Sequence, residues 1–106
     1  LNRYAAHLAE VTASEMTELS VLVGTIESAV KSAFGYDIIN YLMLMMVDHH
    51  VHFHVIPRYN GSRRFFGLEW LDPGWPAFPA LAEQQHREQA GVLAAICKEL
   101  RAASGD

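Results

Sequence analysis

A chain of 106 residues, 51% hydrophobic and 19% charged, has apolar material for one compact core and too little length for two independent domains, so residues 1–106 are expected to form a single domain. A formal net charge of -4 and an isoelectric point near 5.8 exclude a surface built to neutralise a nucleic-acid backbone, so any phosphate site has to be local and no nucleic-acid partner is expected. The single cysteine, Cys97, cannot close an internal disulfide; this predicts a cytoplasmic protein held by packing, with Cys97 an inert core residue on a helix.

In chain order, Thr12 followed three residues later by Glu15 fits a capping box, and Met16, Leu19, Val23, Ile26, Val30 and Phe34 then recur at helical spacing. The pattern predicts a long amphipathic helix that ends at Ala33 to Phe34, with Gly35 as its left-handed cap. From Asp37 the texture changes. Ile38 to Val47 is an apolar run interrupted only by Asn40, and it is far shorter than the roughly 20 residues a membrane-spanning helix needs, so no membrane partner is expected. It reads as a strand in which Met43, Met45 and Met46 fill core space. Val51 to Ile56 alternates at the period of a strand, and Asp48 and His49 between the two runs suggest a tight antiparallel hairpin.

Pro57 is expected to end the second strand because it cannot donate to a ladder. Asn60-Gly61-Ser62 reads as a turn leading to Arg63 and Arg64 in a solvated loop, with an irregular segment beyond it punctuated by Asp72-Pro73-Gly74-Trp75-Pro76 and Pro79. Packing is the default role of Phe65, Phe66, Trp70 and Trp75. A second helix is predicted over Leu81 to Ala103, with Val92, Ile96 and Leu100 on its buried side. The fold class is therefore α+β, with an antiparallel sheet, a long helix before the hairpin and a C-terminal helix.

The chemistry-bearing segment is His50-Val51-His52-Phe53-His54-Val55-Ile56. On a straight strand the three histidines share one face and Val51, Phe53 and Val55 pack into the core on the other. Histidine is the commonest metal ligand, and two at alternate strand positions can share one zinc ion. Three on one straight strand fit a single ion poorly: their outer α-carbons would lie about 13 Å apart at a rise of roughly 3.3 Å per residue, against zinc–nitrogen bonds of about 2 Å. A site using His52 and His54, or His49 and His50, with a ligand from elsewhere stays open. Nucleophilic chemistry suits the pattern better, because a neutral imidazole nitrogen attacks phosphorus to give a phosphoramidate that water later opens. His52 has a histidine on each side and is the expected nucleophile, with His50 and His54 orienting it or binding phosphate oxygens.

His50-Val51-His52-Phe53-His54-Val55-Ile56, followed by Pro57-Arg58, resembles the His-x-His-x-His-x-x signature of the histidine triad (HIT) superfamily. The resemblance covers Leu1 to Arg58 well and the rest loosely. It implies a HIT-like α+β fold and a homodimer that binds a purine nucleotide. It further implies hydrolysis or transfer of nucleotidyl groups, from phosphoramidate or dinucleoside polyphosphate substrates, through a nucleotidyl-histidine on His52, with no metal or other cofactor. Asn40 and Arg58 are the expected phosphate contacts beside His50 and His54. The chain departs from the family pattern in three places. The strands that precede the helix and supply much of the nucleoside pocket are expected in a segment before Leu1. Tyr4 stands where a further histidine is expected, and Tyr41 to Met46 replaces a glycine-rich polar loop. These departures keep open a catalytically weak nucleotide-binding or scaffold protein as the alternative, beside the metal-binding histidine strand.

Overall fold

The computed structural model describes residues 1–81, 85–86, 89 and 91–105. A three-residue 3-10 turn at Leu8–Glu10 leads into the long helix α1 (Ala13–Phe34). Its capping box is formed as expected: the Thr12 hydroxyl accepts from the Glu15 amide at 3.2 Å, and Glu15 accepts in return from the Thr12 amide at 2.8 Å. Arg3 donates to the same Glu15 carboxylate at 2.6 Å, and this contact holds the carboxyl down to about pKa 2. Gly35, at φ 54° and ψ 55°, closes the far end. Leu19, Val23, Ile26, Val30 and Phe34 are half-buried along one stripe, as the spacing requires, whereas Met16 is exposed.

Strands β1 (Ile38–Leu42) and β2 (His54–Arg58) pair antiparallel, with Ile38 opposite Arg58, Asn40 opposite Ile56 and Leu42 opposite His54. Two boundaries differ from expectation. The tight hairpin at Asp48-His49 is replaced by a long connection over 43–53, so the apolar run leaves the sheet after Leu42, and Val47 is 100% exposed. Of the methionines expected to fill the core, Met46 is exposed and Met43 and Met45 are half-buried. Pro57 lies inside β2, opposite Ile39, rather than ending it. Each strand of a two-stranded sheet is an edge, where a residue without an N–H is tolerated.

The segment expected to be irregular holds a second hairpin, β3 (Arg63–Phe65) with β4 (Leu68–Trp70). Its turn residues Phe66 and Gly67 have φ of 57° and 74°, the signs a two-residue hairpin loop of the primed type demands. Helix α2 (Val92–Ser104) starts later than expected because Gly91 sits at φ 81° and Leu81, Gln85, His86 and Gln89 are not helical; the remainder of the expected first half lies outside the described residues. Val92, Ile96 and Leu100 are half-buried on one side of α2, which packs on α1, while Cys97 is exposed rather than in the core.

A cluster of half-buried aromatic side chains joins these parts. Phe34 meets Phe65 edge-on at 5.3 Å between ring centroids, Tyr59 leans on Phe65, and Trp70 donates its indole N–H to the Phe65 carbonyl at 3.2 Å. Burial raises the Tyr59 phenol to about pKa 12, and its hydroxyl donates to the Phe34 carbonyl at 3.2 Å. No helix among the described residues is long and apolar enough to cross a membrane.

Candidate active site

Alternation alone would place all three triad histidines on one strand, but only His54 belongs to β2. His50 and His52 sit on the irregular arm just before it. The arm is anchored from the N-terminal segment. The Val51 amide donates to the Ala5 carbonyl at 2.7 Å, and Ala5 and Val51, 0% and 5% exposed, form its small buried foothold. Asp48 turns the chain into the triad by accepting from the His50 amide at 3.0 Å, a short-range capture typical of aspartate. Phe53, expected in the core, is 40% exposed, because the arm is not paired with a second strand that would turn that face inward.

Hydrogen bonding sets the tautomers of two histidines. His50 Nδ1 lies 3.1 Å from the Ala5 amide nitrogen and 3.3 Å from the Ala5 carbonyl oxygen. The Ala5 amide is a fixed donor in a buried residue, so Nδ1 accepts from it and the ring proton belongs on Nε2. His52 Nδ1 lies 2.6 Å from the His50 carbonyl, which can only accept. The His52 proton therefore sits on Nδ1, and Nε2 keeps an in-plane lone pair. The His52 and His54 rings meet edge-on at 5.0 Å between centroids, and Tyr4 stacks on His50 at 5.2 Å with planes 17° apart. Tyr4, expected where the family carries a histidine, thus touches the triad through an aromatic face.

The two other expected phosphate contacts lie on the sheet. With Asn40 opposite Ile56 and Leu42 opposite His54, the side chains of Asn40, Leu42, His54, Ile56 and Arg58 share one face. The other face turns to α1, where the Tyr41 hydroxyl donates to Glu27 at 2.6 Å. Arg58 is 4% exposed and directs its guanidinium inward: Nε donates to Asp72 Oδ2 at 2.6 Å, Nη2 to Asp72 Oδ1 at 3.2 Å and to the Ala77 carbonyl at 2.8 Å, and Nη1 to Asn40 Oδ1 at 2.7 Å. Arg63, expected in a solvated loop, pairs with Asp37 at 2.9 Å. Sequence reasoning did not single out Asp72 or Ala5. Asp72 stood in a Pro-rich stretch that reads only as a turn, and Ala5 acts through its backbone, which no residue pattern announces.

Among the described residues, no group of three His, Cys, Asp or Glu side chains is arranged to hold a metal ion. The HIT domain family model matches residues 2–61, the stretch that includes the arm, β1, β2 and all three histidines. The chain therefore belongs to the HIT domain family, a family of nucleotide-binding hydrolases and transferases. No curated protein and no solved structure matches it.

Proposed function

We propose that the protein hydrolyses or transfers nucleotidyl groups by covalent catalysis at His52 Nε2. The observation that carries this reading is the 2.6 Å contact from His52 Nδ1 to the His50 carbonyl. That contact supports the reading in two ways. In the neutral ring it puts the proton on Nδ1 and so leaves the lone pair on Nε2, the atom that attacks, and it places a partial negative charge against the Nδ1–H of the imidazolium that attack creates. In the first step the Nε2 lone pair forms a bond to phosphorus while the bond from phosphorus to the amine or phosphate leaving group breaks. The leaving group keeps that electron pair and takes a proton from solvent or from the adjacent His54. In the second step water attacks phosphorus, the P–Nε2 bond breaks back to the lone pair, and the water proton leaves to solvent. An acceptor other than water in this step makes the reaction a transfer. His50, with its proton on Nε2, is a donor available to phosphate oxygens, and Asn40 supplies a second polar group on the His54 face.

Purine nucleotides of the phosphoramidate or dinucleoside polyphosphate type are the substrates proposed, acted on by a homodimer, and both features rest on the family; chain length supports residues 1–106 as one domain, and the lone cysteine supports a cytoplasmic protein. A slower, mainly nucleotide-binding protein is the second reading. The exposed apolar residues Leu44, Met46 and Val47, in the place of a polar phosphate loop, favour it. Turnover of adenosine phosphoramidate by wild type and His52→Ala separates the two readings. The catalytic one expects AMP release that falls on the order of 10³-fold or more in the variant with nucleotide affinity retained. AMP release at an unchanged rate in His52→Ala would overturn it, and binding without turnover in wild type would select the second.

A further inference from the structure

We infer that Arg58, locked by Asp72, is a positioning residue that fixes the Asn40 side-chain amide with its nitrogen as the outward donor on the face that carries His54. The inference rests on the proposed nucleotide chemistry for its purpose but on separate atoms for its geometry. An amide side chain has an oxygen end and a nitrogen end that exchange places by a half-turn, and only its partners decide which end faces where. A guanidinium has five donors and no acceptor, so the Asn40 atom 2.7 Å from Arg58 Nη1 has to be the oxygen. Arg58 itself cannot swing away to release it. Four of its five N–H groups are engaged by Asp72, Asn40 and the Ala77 carbonyl, and its side chain is shut off from solvent. Asp72 is held in turn by the Tyr59 amide and the Gly74 amide, both at 3.2 Å, so the carboxylate has no freedom to follow a rotating arginine.

With Oδ1 committed, both Asn40 Nδ2 protons are left without a protein partner among the described residues, and the nitrogen is not sealed in the interior. On an antiparallel pair, the diagonal from Asn40 to His54 spans about 7 to 8 Å between α-carbons, a gap that one phosphoryl group bonded to both side chains can bridge. The clamp also ties the 72–77 segment to this donor, so a residue 14 positions beyond Arg58 in sequence helps set the polarity of the phosphate face.

Three measurements test this. In the intact wild-type protein, the Asn40 side-chain amide is followed by NMR during titration with inorganic phosphate. Its two proton signals are expected to shift with phosphate, and in Arg58→Lys, which keeps a cation beside Asp72 but loses the fork, the shift is expected to collapse. In kinetics with adenosine phosphoramidate, Arg58→Lys is expected to raise KM about tenfold, the loss of one oriented hydrogen bond, with the pH profile of kcat unchanged. The same substitution in an Asn40→Ala background is expected to have no further effect on KM. An equal rise in both backgrounds, or Asn40 signals that ignore phosphate in wild type, overturns the positioning role. Asn40→Asp keeps an oxygen for Arg58 and the fold while removing the donor; nucleotide binding as tight as wild type in this variant also overturns it. Asn40 signals that respond to phosphate in a protein that never releases AMP would support the positioning role and overturn the catalytic reading.

Discussion

The triad arm and the Arg58 clamp lie at opposite ends of the same short strand and are built on opposite principles. The arm, residues 43–53, lacks regular structure and is held by a few contacts, chiefly those from Ala5 to His50 and Val51 and from Asp48 to the His50 amide. The clamp is a desolvated ion pair, bidentate from Arg58 to Asp72, which bonds further to Asn40 and Ala77 on the arginine side and to Tyr59 and Gly74 on the carboxylate side. The triad imidazoles thus sit at the lightly held end, while the heavily bonded end fixes the strand from which they project. The two ends should respond to substitution in different quantities: activity at one, stability at the other.

The largest effect is expected at His52. His52→Ala should abolish measurable turnover, a loss on the order of 10³-fold or more, while the thermal midpoint moves little, because the ring is only half-buried. At the other end, Asp72→Ala leaves the Arg58 guanidinium buried with no counter-charge, and denaturant unfolding should show a loss of about 3–5 kcal/mol. A variant that unfolds at the wild-type denaturant concentration would mean that the clamp does not anchor the sheet.

Smaller effects test the frame around both ends. The Tyr59 phenol is raised to about pKa 12, mainly by burial, and Tyr41 is raised to about 12 by desolvation and by Glu27. A phenol raised in the fold stabilises it fully below its ordinary value near 10 and stops doing so as pH climbs through 12. Tyrosinate absorbance should therefore show Tyr41 and Tyr59 titrating late, with loss of helical circular dichroism over the same alkaline range. Thr12→Ala should cost about 1 kcal/mol by removing the hydroxyl that caps α1. Val47→Ser, at a fully exposed position of the apolar run, should change stability by less than about 0.5 kcal/mol.

Legibility in the sequence followed the locality of the forces. Helix α1 was readable because its cap, its apolar period and Gly35 all lie within one stretch of chain. The histidine triad is readable as a family signature for the same reason. Its placement is not: alternation predicts a strand only if a partner strand exists, and β1 stops pairing at Leu42, so His50 and His52 depend on a contact 45 residues away at Ala5. The β3–β4 hairpin is not legible in the sequence because Phe66-Gly67 does not carry the Asn-Gly or Asp-Gly signal, although the chain adopts the same positive φ angles there. Arg58 reads in the sequence as a phosphate ligand because a cation beside a histidine triad suggests one. Its occupation by Asp72, distant in sequence and placed in a proline-rich turn, is a property of tertiary structure alone.

Covalent catalysis at His52 is tested most directly by intact-protein mass spectrometry of wild type, quenched in mildly alkaline solution soon after mixing with adenosine phosphoramidate. An adduct of one adenylyl group that maps to His52 and is absent from His52→Ala is expected. An unmodified protein that nonetheless releases AMP, or an adduct mapping to a different residue, would contradict covalent catalysis at His52.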